Sequence, residues 1–394
     1  MKKSRKAPQH VFHNERPDYK KAFAFSGQGS GVFQPLPPPS GKFPYRLALE
    51  SVLGKNAGTR KMVFHTIGDT GAVKDPAPQH IVNRKMEEQI AAIKKATDKP
   101  LFLYHLGDVV YYNGEEKEYY NQFFEPYMHY PAPIFAIAGN HDGDIDASDP
   151  NPPASLAAFT KVFCDTKPRK LGISGEANRT SMVQPNVYWT LQCPLANIIG
   201  LYTNVVEGGQ IKDDQRAWFI GELKEAEKQR KSKAIIVALH HAVYSVDNTH
   251  GASGAMRNFL DKAFAEANVY PDLVLSGHVH NYQRYTRTYP SGQQMPYIVA
   301  GAGGYWHLHS VDTKTNTVYV PNDKFFPNTV LEEFADGRHG FLRITIEKKN
   351  RKLFLSGEYF TVPHPQESWS APPELIDYFV LDLGKRTVSN VKHQ

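Results

Sequence analysis

The sequence predicts an α/β fold with a largely parallel core and a mixed or antiparallel final part. Apolar, β-branched strands alternate with helical patterns from about residue 61 to residue 300, an order typical of parallel α/β sheets. Beyond that point we expect only strands, separated by long loops. With 394 residues, of which 41% are hydrophobic, the chain can form one large domain or two smaller ones.

Residues 1–60 are rich in Gly, Pro and aromatic residues, so we expect an extended arm there and a folded domain over residues 61–394. Short runs of apolar and β-branched residues predict the strands of that domain. In chain order the predicted strands are Lys61–Ile67, Leu101–Leu106, Ile134–Ala138, Val187–Gln192, Asn197–Tyr202, Ala234–Leu239, Leu273–Leu275, Ile298–Ala300, Leu342–Ile346, Leu353–Tyr359 and Phe379–Leu383.

Four segments between these strands have helical character. The first, within residues 79–99, places four apolar side chains on one face, namely Val82, Met86, Ile90 and Ile93. The others are expected at 115–128, Asp214–Arg230 and Ala255–Ala267, and Asp213 or Asp214 is a suitable N-cap for the third helix.

Composition excludes several classes of protein. The net charge of +6 comes from scattered cations, which suits anionic substrates but does not predict nucleic-acid binding. Two cysteines, Cys164 and Cys193, are too few for a cysteine-rich zinc site. We expect either two buried thiols or a single disulfide bridge. No apolar run approaches the ~20 residues of a membrane span. The start, MKKSRKAPQHVFHN, resembles the beginning of a signal peptide, but no apolar stretch follows it.

Five short strings each follow a predicted strand. In order they are GDTG (68–71), GDVVY (107–111), GNHD (139–142), VALH (237–240) and GHVH (277–280). A single Gly-Asp pair after a strand is common turn chemistry, so the first two strings alone mean little. The carboxyl ends of parallel strands share one sheet edge, however, so the five strings together predict a single site.

The residue types in these strings are those of a metal centre. They supply three carboxylates, an amide, several imidazoles and a phenol. Two metal ions held ~3.5–4 Å apart can clamp the attacking and leaving oxygens of a phosphoryl transfer, and they need a bridging carboxylate with further oxygen and nitrogen ligands. No string offers an activated Ser or Cys, so we expect no protein nucleophile.

The five strings resemble those of the calcineurin-like metallophosphoesterase superfamily over roughly residues 61 to 310. Many members have Asp-x-His in the first string, where the His is a ligand, whereas this chain has Gly71 at that position. It also has Tyr111 three residues after Asp108. In lacking this His and having this Tyr, the chain resembles the purple acid phosphatase family. That resemblance implies an α/β/β/α sandwich of mixed sheets and a catalytic domain over 61–394.

The resemblance also implies two metal sites. The first is expected to hold ferric iron, for which a phenolate is a suitable hard donor, and its ligands are Asp69, Asp108, Tyr111 and His280. The second site is expected to hold zinc, manganese or ferrous iron, all of which imidazole suits. It shares Asp108, and its other ligands are Asn140, His240 and His278.

Three further residues are assigned catalytic roles by the resemblance. His141 is expected to meet the phosphate and to stabilise the transition state or protonate the leaving group. Asp142 is expected to orient the His141 imidazole. His250, ten positions beyond His240, is expected to line the substrate pocket, while His241 is either pocket wall or a support behind the ligands.

The expected reaction is hydrolysis of small phosphate monoesters by a metal-bound hydroxide, with an acidic pH optimum and inorganic phosphate as product. One alternative is a phosphodiesterase or nucleotidase of the same superfamily with manganese or zinc in both sites. A second is a non-catalytic protein that binds metal or phosphate.

The resemblance bears on compartment as well. Most members of the family are exported, which favours a periplasmic or secreted protein, although the chain shows no export signal. The residues before the first strand are too few for the separate β-sandwich domain of the larger plant-type members. The sequence does not predict the oligomeric state.

Overall fold

Two mixed β-sheets form the centre of the structure, a computed structural model that describes residues 33–55, 57–146, 148–247, 249–311 and 326–391. The strands, in chain order, are β1 Arg46–Ala48, β2 Lys61–Ile67, β3 Leu103–His105, β4 Ile134–Ala136, β5 Trp189–Gln192, β6 Ala196–Gly200, β7 Ala234–Ala238, β8 Leu273–Ser276, β9 Tyr282–Thr288, β10 Gln294–Ala300, β11 Thr329–Ala335, β12 Gly340–Lys349, β13 Lys352–Thr361, β14 Glu374–Asp382 and β15 Thr387–Asn390.

The helices connect these strands. The α-helices are α1 Glu50–Leu53, α2 Ala77–Ala92, α3 Asn140–Gly143, α4 Ala157–Phe163, α5 Asp213–Glu227 and α6 Gly254–Ala267. Each predicted strand has a counterpart, and so do three of the four predicted helices, α2, α5 and α6. The sequence did not predict β1, β9, β11, β15, α1, α3 and α4.

The strand order shows how each sheet is built. The eight-stranded sheet runs β1-β5-β6-β7-β8-β10-β9-β11 and the seven-stranded sheet runs β15-β14-β13-β12-β2-β3-β4. β2, β3 and β4 are parallel neighbours in the second sheet, while β6, β7 and β8 are parallel neighbours in the first. The last four strands of the seven-stranded sheet form an antiparallel meander, as the strand-only end of the sequence predicts.

The two sheets pack face to face, with helices on their outer faces. A buried apolar layer between them takes Phe64 and Leu355 from one sheet, and Ile236 and Leu275 from the other. A second apolar cluster covers the outer faces, where α2 packs against the seven-stranded sheet and α5 and α6 pack on the other. The predicted α/β/β/α sandwich is therefore confirmed.

Residues 115–128 do not form the α-helix that the sequence predicts. They fold into a 3₁₀ turn, Glu116–Glu118, followed by a π-helix, Tyr120–Phe124. Gln122, Phe123 and Phe124 are buried in this π turn. π turns are rare, and many of them lie at functional sites, so the apolar pattern of residues 115–128 gave no reason to expect one here.

The other differences are smaller. α5 begins at Asp213 with Lys212 as N-cap, so the prediction of Asp213 or Asp214 as N-cap was wrong. Both aspartates lie in the first turn, where their charges favour the positive end of the helix dipole. Of the predicted arm, residues 1–32 lie outside the described residues, whereas β1 extends an edge of the eight-stranded sheet by pairing with β5.

The structure also bears on the two cysteines and on membrane-spanning segments. Cys164 and Cys193 are both buried and unpaired, so a single bridge between them is excluded in this structure. In the part of the chain that the structure describes, we find no helix with the length and apolarity that crossing a membrane requires.

Candidate metal centre

Both sheets contribute to one cluster of polar side chains. In the seven-stranded sheet, Asp69, Asp108 and Asn140 follow β2, β3 and β4. In the eight-stranded sheet, His240 follows β7, and His278 and His280 follow β8. Because all five strands end at the same side of the sandwich, the structure brings together all seven predicted ligands, the seventh being Tyr111.

The first group of ligand atoms contains a phenol, a carboxylate and an imidazole. The Tyr111 hydroxyl lies 3.4 Å from Asp69 Oδ1 and 3.3 Å from His280 Nε2. His280 Nε2 lies 3.6 Å from Asp69 Oδ1. These three atoms are therefore nearly equidistant from one another.

The second group surrounds the amide of Asn140. Its Oδ1 lies 3.0 Å from His240 Nε2 and 3.0 Å from His278 Nδ1. His240 Nε2 is also 3.4 Å from Asp108 Oδ2 and 3.9 Å from Asp69 Oδ1. Asp69, Asp108 and His240 each offer an atom within 4.8 Å of the others, which links the two groups.

These separations fit metal ions. Ligand atoms ~2.1 Å from a shared ion stand roughly 3.0–3.4 Å apart when their angles at the ion are between octahedral and tetrahedral. The measured separations in both groups fall in or close to this range. The side chains present therefore fit two metal ions that share the region of Asp108.

The backbone fixes the orientation of the imidazoles. His240 Nδ1 donates to the Leu106 carbonyl at 2.8 Å, and His280 Nδ1 donates to the His307 carbonyl at 3.1 Å. With the proton held on Nδ1, the lone pair of Nε2 faces the cluster, which is the tautomer that a metal ligand needs. The His278 amide donates to both oxygens of Asp69.

Burial is the largest cause of the pKa shifts in the cluster. In His240 burial is outweighed by the charges of Asp108 and Asp69, which raise its pKa to about 9. Burial, followed by repulsion from Asp108 and Asp69, raises the pKa of Tyr111 well above its usual value. Burial, opposed by His240 but reinforced by Asp108, also raises the pKa of Asp69. Burial and the neighbouring imidazoles lower the pKa values of His278 and His280. Ionised oxygens and neutral imidazoles, the forms that ligate metals, become stable together when cations are bound.

Three of the predicted ligands adopt left-handed backbone conformations. The φ angles are 58° for Asp69, 53° for Asp108 and 69° for His278, a region in which non-glycine residues are uncommon. Such strain is typical of functional sites. Gly107 precedes Asp108 with a φ of 95°, and a Cβ there would lie 2.6 Å from His240 Nδ1. The Gly-Asp pair thus lets the backbone pass close to the imidazole.

Comparison with known proteins shows which family the chain belongs to. A family model described as calcineurin-like phosphoesterase matches residues 62–282, which is more than half of the chain. The chain belongs to the calcineurin-like phosphoesterase family. The phosphoesterase fold carries both groups of ligand atoms within the matched region.

The chain is also similar to curated purple acid phosphatases of Arabidopsis thaliana, which confirms the resemblance found in the sequence. It is 22% identical to "Probable inactive purple acid phosphatase 9" over 79% of this chain and 50% of that relative. It is 27% identical to "Purple acid phosphatase 21" over 43% of this chain and 36% of that relative. The chain thus spans half or less of the length of these relatives.

Among solved structures, the chain is similar to "GAP50 the anchor in the inner membrane complex of Plasmodium". The TM-score is 0.51 at 15% identity, over 80% of this chain and 89% of that one. At this identity the likeness shows the fold alone.

Gly71 lies against the Tyr111 ring. A Cβ at residue 71 would lie 2.4 Å from Gln122 Oε1 and 2.7 Å from Tyr111 Cδ2. A side chain at residue 71 would therefore need the space that Gln122 and the Tyr111 ring occupy. The two positions at which the sequence differs from many superfamily members are neighbours in space.

Gln122 is a supporting residue that the sequence did not identify. Its Oε1 accepts from the Tyr111 amide at 2.8 Å, and its Nε2 donates to the Tyr111 carbonyl at 3.0 Å. The π-helix directs this side chain inward, so the irregular turn and the position of the phenol are connected. A predicted regular helix at 115–128 gives no sign of this contact.

Asp142 bonds to the backbone around the cluster. The imidazole of His141 bonds to the Tyr112 carbonyl, which accepts from its Nδ1 at 2.8 Å. The Asp142 carboxylate accepts from the backbone amides of Val109, Val110 and Gly139. The role of Asp142 in orienting the His141 imidazole stays a prediction. Burial and the charge of Asp108 raise the pKa of Asp142 to about 7.

Two predicted catalytic histidines lie beside the ligands. The ring centre of His141 is 4.5 Å from that of Tyr111, and its backbone amide donates to Asp108 Oδ1 at 2.9 Å. The ring of His250 is partly exposed and lies 4.3 Å from that of His278 and 6.0 Å from that of His280. Both imidazoles therefore border the cluster, one beside the phenol and one beside the second group.

Three further histidines support the fold. His65 contacts Tyr130 and Gln89, and His105 contacts Thr70, so both are satisfied core residues. His241 is fully buried, with Nδ1 2.6 Å from Thr203 Oγ1 and its ring 4.5 Å from that of His278. Its burial favours the supporting role over the pocket wall.

Proposed function

We propose that the chain hydrolyses phosphate monoesters as a two-metal phosphatase of the purple acid phosphatase type. The observation that supports this most is the buried phenol of Tyr111, placed between Asp69 and His280, next to a second group built on Asn140. Residues 61–394 are the catalytic domain in this proposal, and residues 1–60 are an arm.

The two groups suit different ions. Phenolate and carboxylate oxygens at the first group fit ferric iron, while imidazoles and an amide at the second fit zinc, manganese or ferrous iron. When bound, such ions supply Lewis-acid chemistry, offsetting charge on phosphoryl oxygens and lowering the pKa of water.

The histidines supply proton transfer and charge. With Nδ1 of His141 bonded to the Tyr112 carbonyl, a protonated His141 donates from Nε2 to the leaving oxygen of the substrate. His250, whose ring lies over that of His278, contacts the phosphoryl group from the other side. Small phosphorylated molecules are therefore the proposed substrates, and inorganic phosphate is the product.

A non-catalytic role is the second candidate. One relative is named "probable inactive", and the Plasmodium structure is described as an anchor. Against this role, all seven predicted ligands are present and adjacent in this chain, and His141 borders them.

The test is hydrolysis of a monoester and a diester by the metal-loaded protein and by Asp108→Asn. We expect faster turnover of the monoester, best in mild acid, and a loss of more than ~100-fold in kcat for Asp108→Asn, since even outer partners of a metal site are worth ~10–100-fold. Asp382→Asn, at the last residue of β14, is the control with unchanged activity. Preference for the diester favours the phosphodiesterase alternative, and bound metal without turnover favours the non-catalytic one.

A further inference from the structure

The carboxylate of Asp247 is a second centre of hydrogen bonding beside the metal cluster. Its side chain is fully covered. Oδ2 accepts from the amides of Thr249 and His250 at 2.9 and 3.0 Å. Oδ1 accepts from the Gly251 amide at 2.6 Å and from the Ser245 hydroxyl at 3.0 Å. This one carboxylate therefore determines the path of the backbone that carries His250.

Asp247 also faces a histidine from a distant part of the chain. His309 Nδ1 lies 3.5 Å from Asp247 Oδ2, and the backbone of Asp247 forms a β-bridge with Val311. The ring of His309 stacks on that of His280 at 4.2 Å and lies 4.8 Å from that of His250. Asp247 thus contacts both segments that place imidazoles at the cluster.

His250, His280 and His309 each offer a nitrogen within 4.8 Å of the others, as a metal site requires. The rings of His280 and His309 are inclined by only 21°, with centres 4.2 Å apart. An imidazole binds a metal in the plane of its ring at ~2.1 Å. An ion cannot lie in two nearly parallel planes so far apart, so this trio does not hold a third metal through both stacked rings.

We propose that Asp247 is a positioning residue that fixes His250 and His309 for contact with the phosphoryl group. The inference rests on the proposed function, since it assigns a role in binding phosphate at the same site. His250 lies over His278, and His309 lies beside it on the side of His280, so the two imidazoles border both groups of ligand atoms. The Asp247 carboxylate contacts the backbone of His250 and the ring of His309, and so fixes the positions of both imidazoles relative to the cluster.

Asp247→Asn tests the role with little change of shape. Both oxygens of Asp247 accept hydrogen bonds from N–H or O–H groups. In Asp247→Asn the amide nitrogen would replace one of these acceptors and would leave its N–H or O–H partners without a hydrogen bond. The matched control is Asp272→Asn. Asp272 is also buried and accepts from a backbone amide, that of Ile235 at 2.7 Å, but it lies at the amino end of β8 and is paired with Arg230.

Three measurements follow for the wild type and both variants. Hydrogen exchange of the metal-free protein reports the amides of Thr249, His250 and Gly251, whose protection we expect only Asp247→Asn to lose. Calorimetric titration with inorganic phosphate reports the affinity of the metal-loaded protein, which we expect to fall ~10-fold or more in Asp247→Asn with both metals retained. Steady-state kinetics on a monoester should show the loss mainly in KM.

Unchanged amide protection, or phosphate affinity within twofold of the wild type, would overturn the inference. If Asp247→Asn does not fold, His309→Gln leaves the carboxylate in place, and we expect a several-fold weaker phosphate affinity. Full affinity in that variant would contradict the role of His309. A wild type that binds phosphate and turns over no phosphoester refutes the proposed function but leaves the inference on Asp247 testable through affinity.

Discussion

Replacing Tyr111 with phenylalanine removes one oxygen from the first group and leaves the ring in place. The ring is almost fully buried, with its centre 4.5 Å from that of His141 and 4.4 Å from that of Tyr305. The hydroxyl contacts with Asp69 and His280 are 3.4 and 3.3 Å long, which is long for hydrogen bonds of an O–H group. We therefore expect the metal-free variant to lose no more than about 1 kcal/mol of unfolding free energy.

The effect on the metal-loaded protein should be much larger. Because burial, Asp108 and Asp69 raise the pKa of Tyr111, its phenolate forms only where a bound cation outweighs them. A phenolate on ferric iron gives a visible charge-transfer band, so the wild type is expected to be purple and Tyr111→Phe colourless. The assay is the visible spectrum together with the metal content of each protein.

The neighbouring tyrosine provides the control. The Tyr112 hydroxyl lies 3.5 Å from that of Tyr305, and Tyr112→Phe should keep both colour and metals. A band that persists in Tyr111→Phe would refute the assignment of the phenol as a ligand. A colourless wild type with two bound metals would refute ferric iron and favour the zinc or manganese alternative.

Three further outcomes are expected. Gly71→Ala should lower the free energy of unfolding by about 1–3 kcal/mol, because its added Cβ overlaps Gln122 and Tyr111. Gly221→Ala should raise it by about 0.5–1 kcal/mol, because an added Cβ there has no atom within 4 Å beyond its own helix backbone and Ala favours the helix. Thermal or urea unfolding measures both. Burial lowers the pKa of His65 to about 3, so between pH 6.5 and 3 the unfolded state binds a proton that the folded state does not. As the pH is lowered through this range, the free energy of unfolding should decrease by about 1.4 kcal/mol per pH unit more in the wild type than in His65→Gln. Equal slopes for the two proteins would contradict this. Arg46→Ala removes a 2.6 Å ion pair with the buried carboxylate of Glu222 and should cost about 1–3 kcal/mol in urea unfolding, with no loss of metal.

The sequence predicts this site well because its signals are local. Each ligand string stands directly after a run of apolar residues, and a parallel sheet brings such positions to one edge without further information. That rule places Asp69, Asp108, Asn140, His240 and His280 at one edge, whereas their expected roles as ligands came from the family resemblance.

Contacts between distant segments could not be predicted in this way. Asp247 and His309 are separated in the chain by α6, β8, β9 and β10, and neither segment carries a pattern that points to the other. Strand β9, with the sequence YQRYTRT, is too polar to be recognised. Its Arg284 and Tyr282 are buried because both bond to Asp377 of β14, in the other sheet, at 2.6 and 2.5 Å.

The division of the ligands between two sheets has a consequence for the stability of the whole molecule. Asp69, Asp108 and Asn140 follow strands of one sheet and His240, His278 and His280 follow strands of the other, so each bound ion would be a cross-link between halves that meet mainly through apolar contacts. By mass action, an ion at 100 times its dissociation constant adds about 2.7 kcal/mol to the folded state. Chelation should therefore lower the melting temperature of both sheets together.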